Sequence, residues 1–237
     1  MYYKVVLDEQ KLDSFIASLP ELLEHEVWYV CLFGRHKYDP SFPNTRDSGQ
    51  LVRITAGDKI ELKSKIRRME VPLGSYVRDN VVATNECLAA YIAVNPRSLI
   101  RANKAMLIEL ATRVADGNLN FSPMSLSTTC IHRAVDRKFY VDFDFDFGEK
   151  GEAGFDMQKL KEALPSPDMY RILRTRGGFH ILVELAKVRE LKTKWHPILA
   201  SIEGCDVKGS NTLTPIPGCT QGGFTPYFME TPDAVGV

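Results

Sequence analysis

Residues Phe139–Gly148 read Phe-Tyr-Val-Asp-Phe-Asp-Phe-Asp-Phe-Gly. Side chains alternate along a β-strand, so Asp142, Asp144 and Asp146 project from one face. Val141, Phe143, Phe145 and Phe147 project from the other, a side suited to a core. Carboxylates crowded on one face repel each other unless protons, cations or water screen them. At a spacing of about 6.5–7 Å along the strand, neighbouring carboxylates can converge on one divalent ion or on a pair about 4 Å apart. The competing reading is an edge strand whose acidic face is solvated and discourages aggregation. Asp is a poor strand former, and three in a row cost stability relative to Thr or Val. That cost favours a metal site.

Working outward, the chain after this strand has a regular rhythm. A Gly-rich loop precedes an expected helix at Asp156–Leu164, closed by Pro165 and Pro167. Strands are expected at Tyr170–Arg174 and Phe179–Leu185 around a turn at Thr175–Gly178, then a helix at Glu190–Ile202 and an extended segment near Leu213–Ile216. The order β-α-β-β-α-β is the ferredoxin-like arrangement of RNA-recognition (RRM-like) domains, in which the first and third strands lie side by side. Upstream, Asp8–Leu23 has helical spacing, Val27–Phe33 and Leu51–Thr55 read as strands, and Lys59–Met69 as a basic helix. Leu88–Val94 reads as a strand, Ser98 caps a helix from Leu99 to about Ala115, and a loop containing Pro123 leads to the acidic strand. The expected fold class is α+β, with an N-terminal α/β subdomain over residues 1–120 packed on an RRM-like catalytic palm over 121–237.

Composition sets the outer limits. The 237 residues carry 30 basic and 30 acidic side chains, a net charge of zero. This argues against coating nucleic acid by bulk electrostatics. Between Arg53 and Arg113, however, eleven Lys/Arg stand against six Asp/Glu, dominated by Lys59, Lys63, Lys65, Arg67 and Arg68. The run is either a solvated helix face or a local groove for a template strand. The five cysteines are scattered without a Cys-x-x-Cys, which suggests a reducing compartment and no zinc knuckle. There is no apolar run of transmembrane length and no signal-peptide pattern, so a cytoplasmic protein without a membrane partner is expected.

Two further segments carry chemistry. The turn Arg174-Thr175-Arg176-Gly177-Gly178-Phe179-His180 combines glycines, a hydroxyl, two guanidinium groups and a histidine, all suited to phosphate. Gly-Gly alone is only a hairpin signal, and a lone strand histidine is often structural. His180 stands out because its strand is expected to pair with the acidic one. Cys205-Asp206-Val207-Lys208-Gly209 offers a third carboxylate where the chain returns from the last helix, or simply a helix-ending turn. The glycine-rich Pro217–Gly223 reads as a flexible, substrate-facing loop.

Taken together, these segments resemble the archaeo-eukaryotic primase (primase-polymerase) superfamily. The matching motifs are Tyr140-Val141-Asp142-Phe143-Asp144, Thr175-Arg176-Gly177-Gly178-Phe179-His180 and a later acid at Asp206. Leu88–Arg97, which runs into Val94-Asn95-Pro96-Arg97, and Thr214–Gly223 are similar to segments of phage- and plasmid-type members. The apolar residues before Asp142 favour Asp142 with Asp144 as the first motif, with Asp144 and Asp146 as the alternative register. The resemblance covers roughly residues 88–223. It implies a DNA primase or primase-polymerase that copies single-stranded DNA with NTPs or dNTPs by two-metal nucleotidyl transfer, in a bacterial or phage-infected cell. Asp142, Asp144 and Asp206 would hold two Mg²⁺ or Mn²⁺ ions. His180, Thr175, Arg176, Gly177, Gly178 and Lys208 would contact the nucleotide, with Arg97 as a second phosphate contact. Lys63, Lys65, Arg67 and Arg68 would face the template strand. A helicase or a helical priming domain would be supplied elsewhere. Substitution of Asp142 or Asp144 would abolish activity while leaving folding intact. The rival readings are an Asp-x-Asp glycosyltransferase, a metal nuclease, and a non-catalytic RRM-like nucleic-acid-binding module, the last disfavoured because its sheet face would carry aspartates instead of stacking aromatics.

Overall fold

The computed structural model describes residues 1–44, 49–147 and 155–229, with the backbone alone at Val207 and Lys208. The first half of the chain forms α1 (Glu9–Ser18), β1 (Glu26–Gly34), β2 (Gln50–Ala56), α2 (Lys59–Arg67), β3 (Val77–Arg78), β4 (Val81–Val82), β5 (Leu88–Ile92), β6 (Arg97–Ser98) and α3 (Leu99–Ala115). Then come α4 (Pro123–Arg133), β7 (Tyr140–Asp146), α5 (Met157–Ala163), β8 (Tyr170–Arg174) and β9 (Gly178–Glu184). The last elements are α6 (Leu185–Val188), α7 (Trp195–Ala200), β10 (Cys205–Gly209), β11 (Thr214–Pro215) and β12 (Tyr227–Phe228). The protein is thus mixed α+β, with antiparallel sheets. Among the described residues no helix is long and apolar enough to cross a membrane.

Local chemistry sets the helix starts. Asp8, Asp58, Ser98, Ser122 and Asp156 each accept a hydrogen bond from the backbone N–H three residues on, supplying a partner for one orphan donor of the first turn. Helix α4 occupies what the sequence reading took for a loop. Its start is marked by Ser122 as cap and Pro123 in the first turn, where no donor is needed. Its Ser/Thr-rich body tolerates the helix because the Thr128 and Thr129 hydroxyls bond back to carbonyls of the preceding turn. The helix expected over Glu190–Ile202 is shortened to α7, with Pro197 confined to its first turn, and a separate short α6 precedes it where the strand was expected to end.

Two five-stranded sheets organise the described residues. In the first the order is β11-β5-β1-β2, with β6 also pairing with β1; in the second it is β10-β7-β9-β8-β12. Strand β7 lies beside β9, as the sequence rhythm anticipated. The strand after the last helix is β10, however, and Thr214–Pro215 leaves that sheet to pair with β5 in the first. One face of the first sheet, with Trp28, Val30, Leu32, Ala90 and Ile92, packs on α1 and α2 through Leu12, Phe15, Ile16, Leu62 and Ile66. Its opposite face carries Tyr29, Cys31, Phe33 and Tyr91. In the second sheet Phe143 and Phe145 are fully buried against α5, α6 and α7 through Leu160, Ala163, Val188 and Leu199.

The two sheets are joined by specific polar contacts as well as by apolar ones. The buried Asn95 side-chain carbonyl accepts from the Phe139 and Tyr140 N–H groups at 2.8 and 2.9 Å, while its amide donates to the carbonyls of Tyr140 (2.8 Å) and Ser210 (2.9 Å). Arg171 on β8 reaches the Ser18 hydroxyl of α1 at 2.8 Å. Glu26 is buried and accepts from Arg137, the segment that leads into β7. Burial pushes the Glu26 carboxyl up, but the hydrogen bonds from Arg137 and the Leu23 N–H outweigh it, and the net shift is below its usual 4.5. Its contribution to stability is therefore complete above that value and is lost as pH falls through the lower folded value. Arg137→Ala leaves burial opposed only weakly, so the Glu26 carboxyl rises. We expect a loss of about 2–3 kcal/mol at neutral pH, tempered by the half-exposed guanidinium. Urea denaturation at pH 7 and pH 4 checks this, with the deficit shrinking at pH 4.

Candidate functional site

The pairing of three neighbouring strands builds the site. Asp206 on β10 lies opposite Asp144 on β7, which lies opposite His180 on β9. Directly opposed residues share a face of the sheet with Cα atoms about 4.5–5.5 Å apart. The row Asp206–Asp144–His180 therefore crosses the acidic face at one level. Asp206 stands on a strand, not in the helix-ending turn that the sequence suggested.

His180 bridges two aspartates. Its Nδ1 lies 2.9 and 3.0 Å from the two carboxylate oxygens of Asp142, and its Nε2 lies 3.3 Å from Asp144 Oδ1. Ionised carboxylates only accept, so both contacts call for an N–H on the ring. Asp142 is 1% exposed, and its Oδ2 also accepts from the Thr212 and Thr214 hydroxyls at 3.3 Å each. Asp144 is half-buried, while Asp146 and Asp206 are exposed. The negative charge of the aspartates is felt nearby. Burial, reinforced by Asp144 and Asp142, pushes the Cys205 thiol up to about 11.

A cavity of about 290 Å³ opens beside this row. Asp144, Asp146, His180, Thr175, Gly177 and Gly178 line one side. Arg35 and Lys37, just past the end of β1, Tyr91 of β5, Thr212 and Gln221 complete the lining. A larger hollow of about 580 Å³ lies between α3 and α4, but its one carboxylate, Glu109, is paired with Arg113 at 2.8 Å. The smaller cavity is the one that joins carboxylates, a histidine and cations.

Several expected residues sit elsewhere or do something else. Gly178 is buried, and a Cβ there would meet the Phe145 carbonyl oxygen at 1.9 Å, so its bareness serves strand approach and not phosphate approach. Arg176 is engaged in holding the downstream loop: its N–H donates to Gln221 (2.8 Å), its guanidinium to the Gly222 carbonyl (2.5 Å), and it lies over the Tyr38 ring at 4.6 Å. That loop is stitched to β5 and is not free, since Thr220 accepts from Ala90 N–H at 3.0 Å and Gly222 N–H donates to Leu88 at 2.7 Å. Arg97 is sealed at 0% exposure, pushed down to about 10 by burial, and lines no part of the cavity, so a phosphate contact does not suit it. The Lys208 side chain lies outside the described residues.

The basic helix α2 is likewise not an open groove. Lys63 pairs with Glu9 (2.8 Å) and Asp13 (2.6 Å), Lys65 with Glu61 (2.7 Å), and Arg67 with Glu70 (2.9 Å) and Glu9. These pairs tie α2 to α1 and to itself. Arg68 is exposed. Helix α2 also packs on the face of the first sheet opposite Tyr91, away from the cavity. Gln221, in the loop expected to face substrate, does line the cavity, whereas Arg35, Lys37 and Tyr91 were not expected there; the aromatic-basic run Phe33–Tyr38 is the only sequence signal for the first two.

No family model, curated protein or solved structure matches the chain.

Asp142 and Asp144 should separate in stability. Asp142→Ala strips a buried histidine and two hydroxyls of their acceptor and should cost about 1–3 kcal/mol. Asp144→Ala relieves repulsion at a wetter position and should change stability by about 0.5 kcal/mol or less. This revises the expectation that both leave folding intact, and chemical denaturation of the two variants measures it.

Proposed function

We propose that the protein is a template-directed nucleotidyltransferase of the primase-polymerase kind, acting on single-stranded DNA with nucleoside triphosphates. The observation that carries this reading is the row Asp206–Asp144–His180 across three adjacent strands, of which Asp144 and His180 line the cavity. Its support in the fold is the order β10-β7-β9-β8, with α5 and then α6–α7 in the crossovers, which follows the fourth-first-third-second order of an RRM-like palm. Tyr140 and Phe228, aromatics that share the aspartate face, are packed into the first core and not presented for base stacking, which disfavours a non-catalytic RNA-recognition module.

The donor set suits a hard divalent cation such as Mg²⁺ or Mn²⁺, since Asp144, Asp206, Asp146 and Asp142 offer only carboxylate oxygens. Among the described residues no three His, Cys, Asp or Glu form a ready-made metal cluster, and Asp142 is committed to His180 and two threonines. Asp144 and Asp206 would thus be the first ligands, with Asp146 in reach of the same cavity. While it holds His180 and the two threonines, Asp142 would support the site from behind and not join the ligands. Two ions held there would lower the pKa of the attacking 3′-hydroxyl and stabilise charge on the leaving pyrophosphate.

The protein's own groups orient the substrate. Asp142, accepting from Nδ1, aims the His180 ring so that Nε2–H faces the cavity side of the sheet. There Nε2–H donates to a phosphate oxygen in exchange for its 3.3 Å contact with Asp144. Thr175 and Gly177 line the same cavity. Positioning and electrostatics carry most of the rate in such chemistry.

Incorporation of NTPs and dNTPs on single-stranded DNA, with and without a labelled primer, in Mg²⁺ and in Mn²⁺, tests the reading. We expect extended products that vanish in Asp144→Ala and Asp206→Ala, both at solvent-accessible positions. Shortening of the DNA would instead make the same carboxylates those of a nuclease. The absence of any product from folded protein would refute the assignment.

A further inference from the structure

The cavity has two walls of opposite charge, and the aspartate-bearing wall accounts for only one of them. The facing wall comes from the first sheet. Arg35 follows Gly34 at the end of β1, and Lys37 lies two residues on. The Arg35 guanidinium lies over the Phe33 ring at 4.5 Å and the Tyr91 ring at 5.2 Å, and its Nε is buried without a hydrogen-bond partner. Lys37 is exposed and lies over the Tyr38 ring at 5.2 Å. Among the described residues, neither cation forms an ion pair, whereas Lys63, Lys65, Arg67 and Arg137 are all paired. A guanidinium parked on two aromatic rings keeps its charge and planar donors while losing little further freedom on binding.

We propose that Arg35 and Lys37 form the polyphosphate-binding wall of the nucleotide pocket. The inference deepens the nucleotidyl-transfer reading and rests on it. A triphosphate brought beside Asp144 and Asp146 meets repulsion from the carboxylates, and two unpaired cations across the cavity offset it. Arginine and lysine donors to phosphate oxygens are the strong, charge-assisted kind. This wall also replaces Arg97 and Arg176, whose guanidinium groups are sealed or engaged elsewhere.

Calorimetric titration of the full chain with sodium tripolyphosphate, and separately with a single-stranded oligonucleotide, both in excess Mg²⁺, tests the proposal. Arg35→Ala and Lys37→Ala should each weaken tripolyphosphate binding about tenfold or more and leave oligonucleotide binding within about twofold. Lys104→Ala, an exposed charge on α3, should change neither. Lys37 is exposed, so its variant remains informative if Arg35→Ala fails to fold. Unchanged tripolyphosphate affinity in Lys37→Ala and in folded Arg35→Ala, or no tripolyphosphate binding by the unaltered protein, overturns the proposal. Loss of oligonucleotide binding alone also overturns it, because the wall would then hold a nucleic-acid backbone. The readout needs no turnover. Tripolyphosphate binding lost in the variants of a protein that incorporates no nucleotide would keep the wall and discard the polymerase. Incorporation with unchanged tripolyphosphate affinity would do the reverse.

Discussion

Strand β7 must satisfy two faces that want opposite surroundings, and most of the architecture answers that demand. Phe143 and Phe145 need a dry cover, which α5, α6 and α7 provide. The three aspartates need solvent, protons or cations, and each finds a different solution along the strand. At the Tyr140 end the same face packs into the first core beside Leu182, so Asp142 is enclosed and has to be hydrogen-bonded by His180, Thr212 and Thr214. At the Asp146 end the face opens into the cavity. A single strand thus grades from core to cavity mouth within seven residues.

Such a grading is possible only because a second sheet stands against the first. Asn95 makes four hydrogen bonds that lock the end of β5 to the beginning of β7 and to Ser210, and the Glu26–Arg137 pair anchors the same junction. With the strand entry clamped, its register against β9 and β10 is set, and a slip of one residue would turn every aspartate into the helix-covered core. The chain returns to the first sheet through β11 and the loop ending at Gly222, so residues from both ends of the sequence enclose the cavity.

Charge in this protein is locally sorted. Most of the cations of α2 are neutralised by acids of α1 and of α2 itself, which makes that basic run a structural seam. The cavity cations that form no ion pair among the described residues, Arg35 and Lys37, come from a short basic stretch outside the long basic run of α2. Counting charges along the chain does not separate paired cations from unpaired ones, because a charge's meaning depends on what faces it across space.

The sequence by itself determined the elements governed by local chemistry. The period-two alternation of β7, the capped start of α3 at Ser98, the strand Tyr170–Arg174 and the neighbouring of β7 and β9 were all legible, because each follows from side-chain periodicity, caps or strand order. Helix α4 was missed where Ser/Thr content outweighed its capping signal, and the last strand was misplaced because Cys205–Gly209 carries no clear alternation of its own. Only the tertiary structure decided which aspartate is enclosed and which is open, that Asp206 stands level with Asp144 and His180, that Arg97 is sealed, and that Arg35 and Lys37 face the carboxylates. Those facts depend on register and on contact between distant segments, and the alternation of side chains along one strand contains neither.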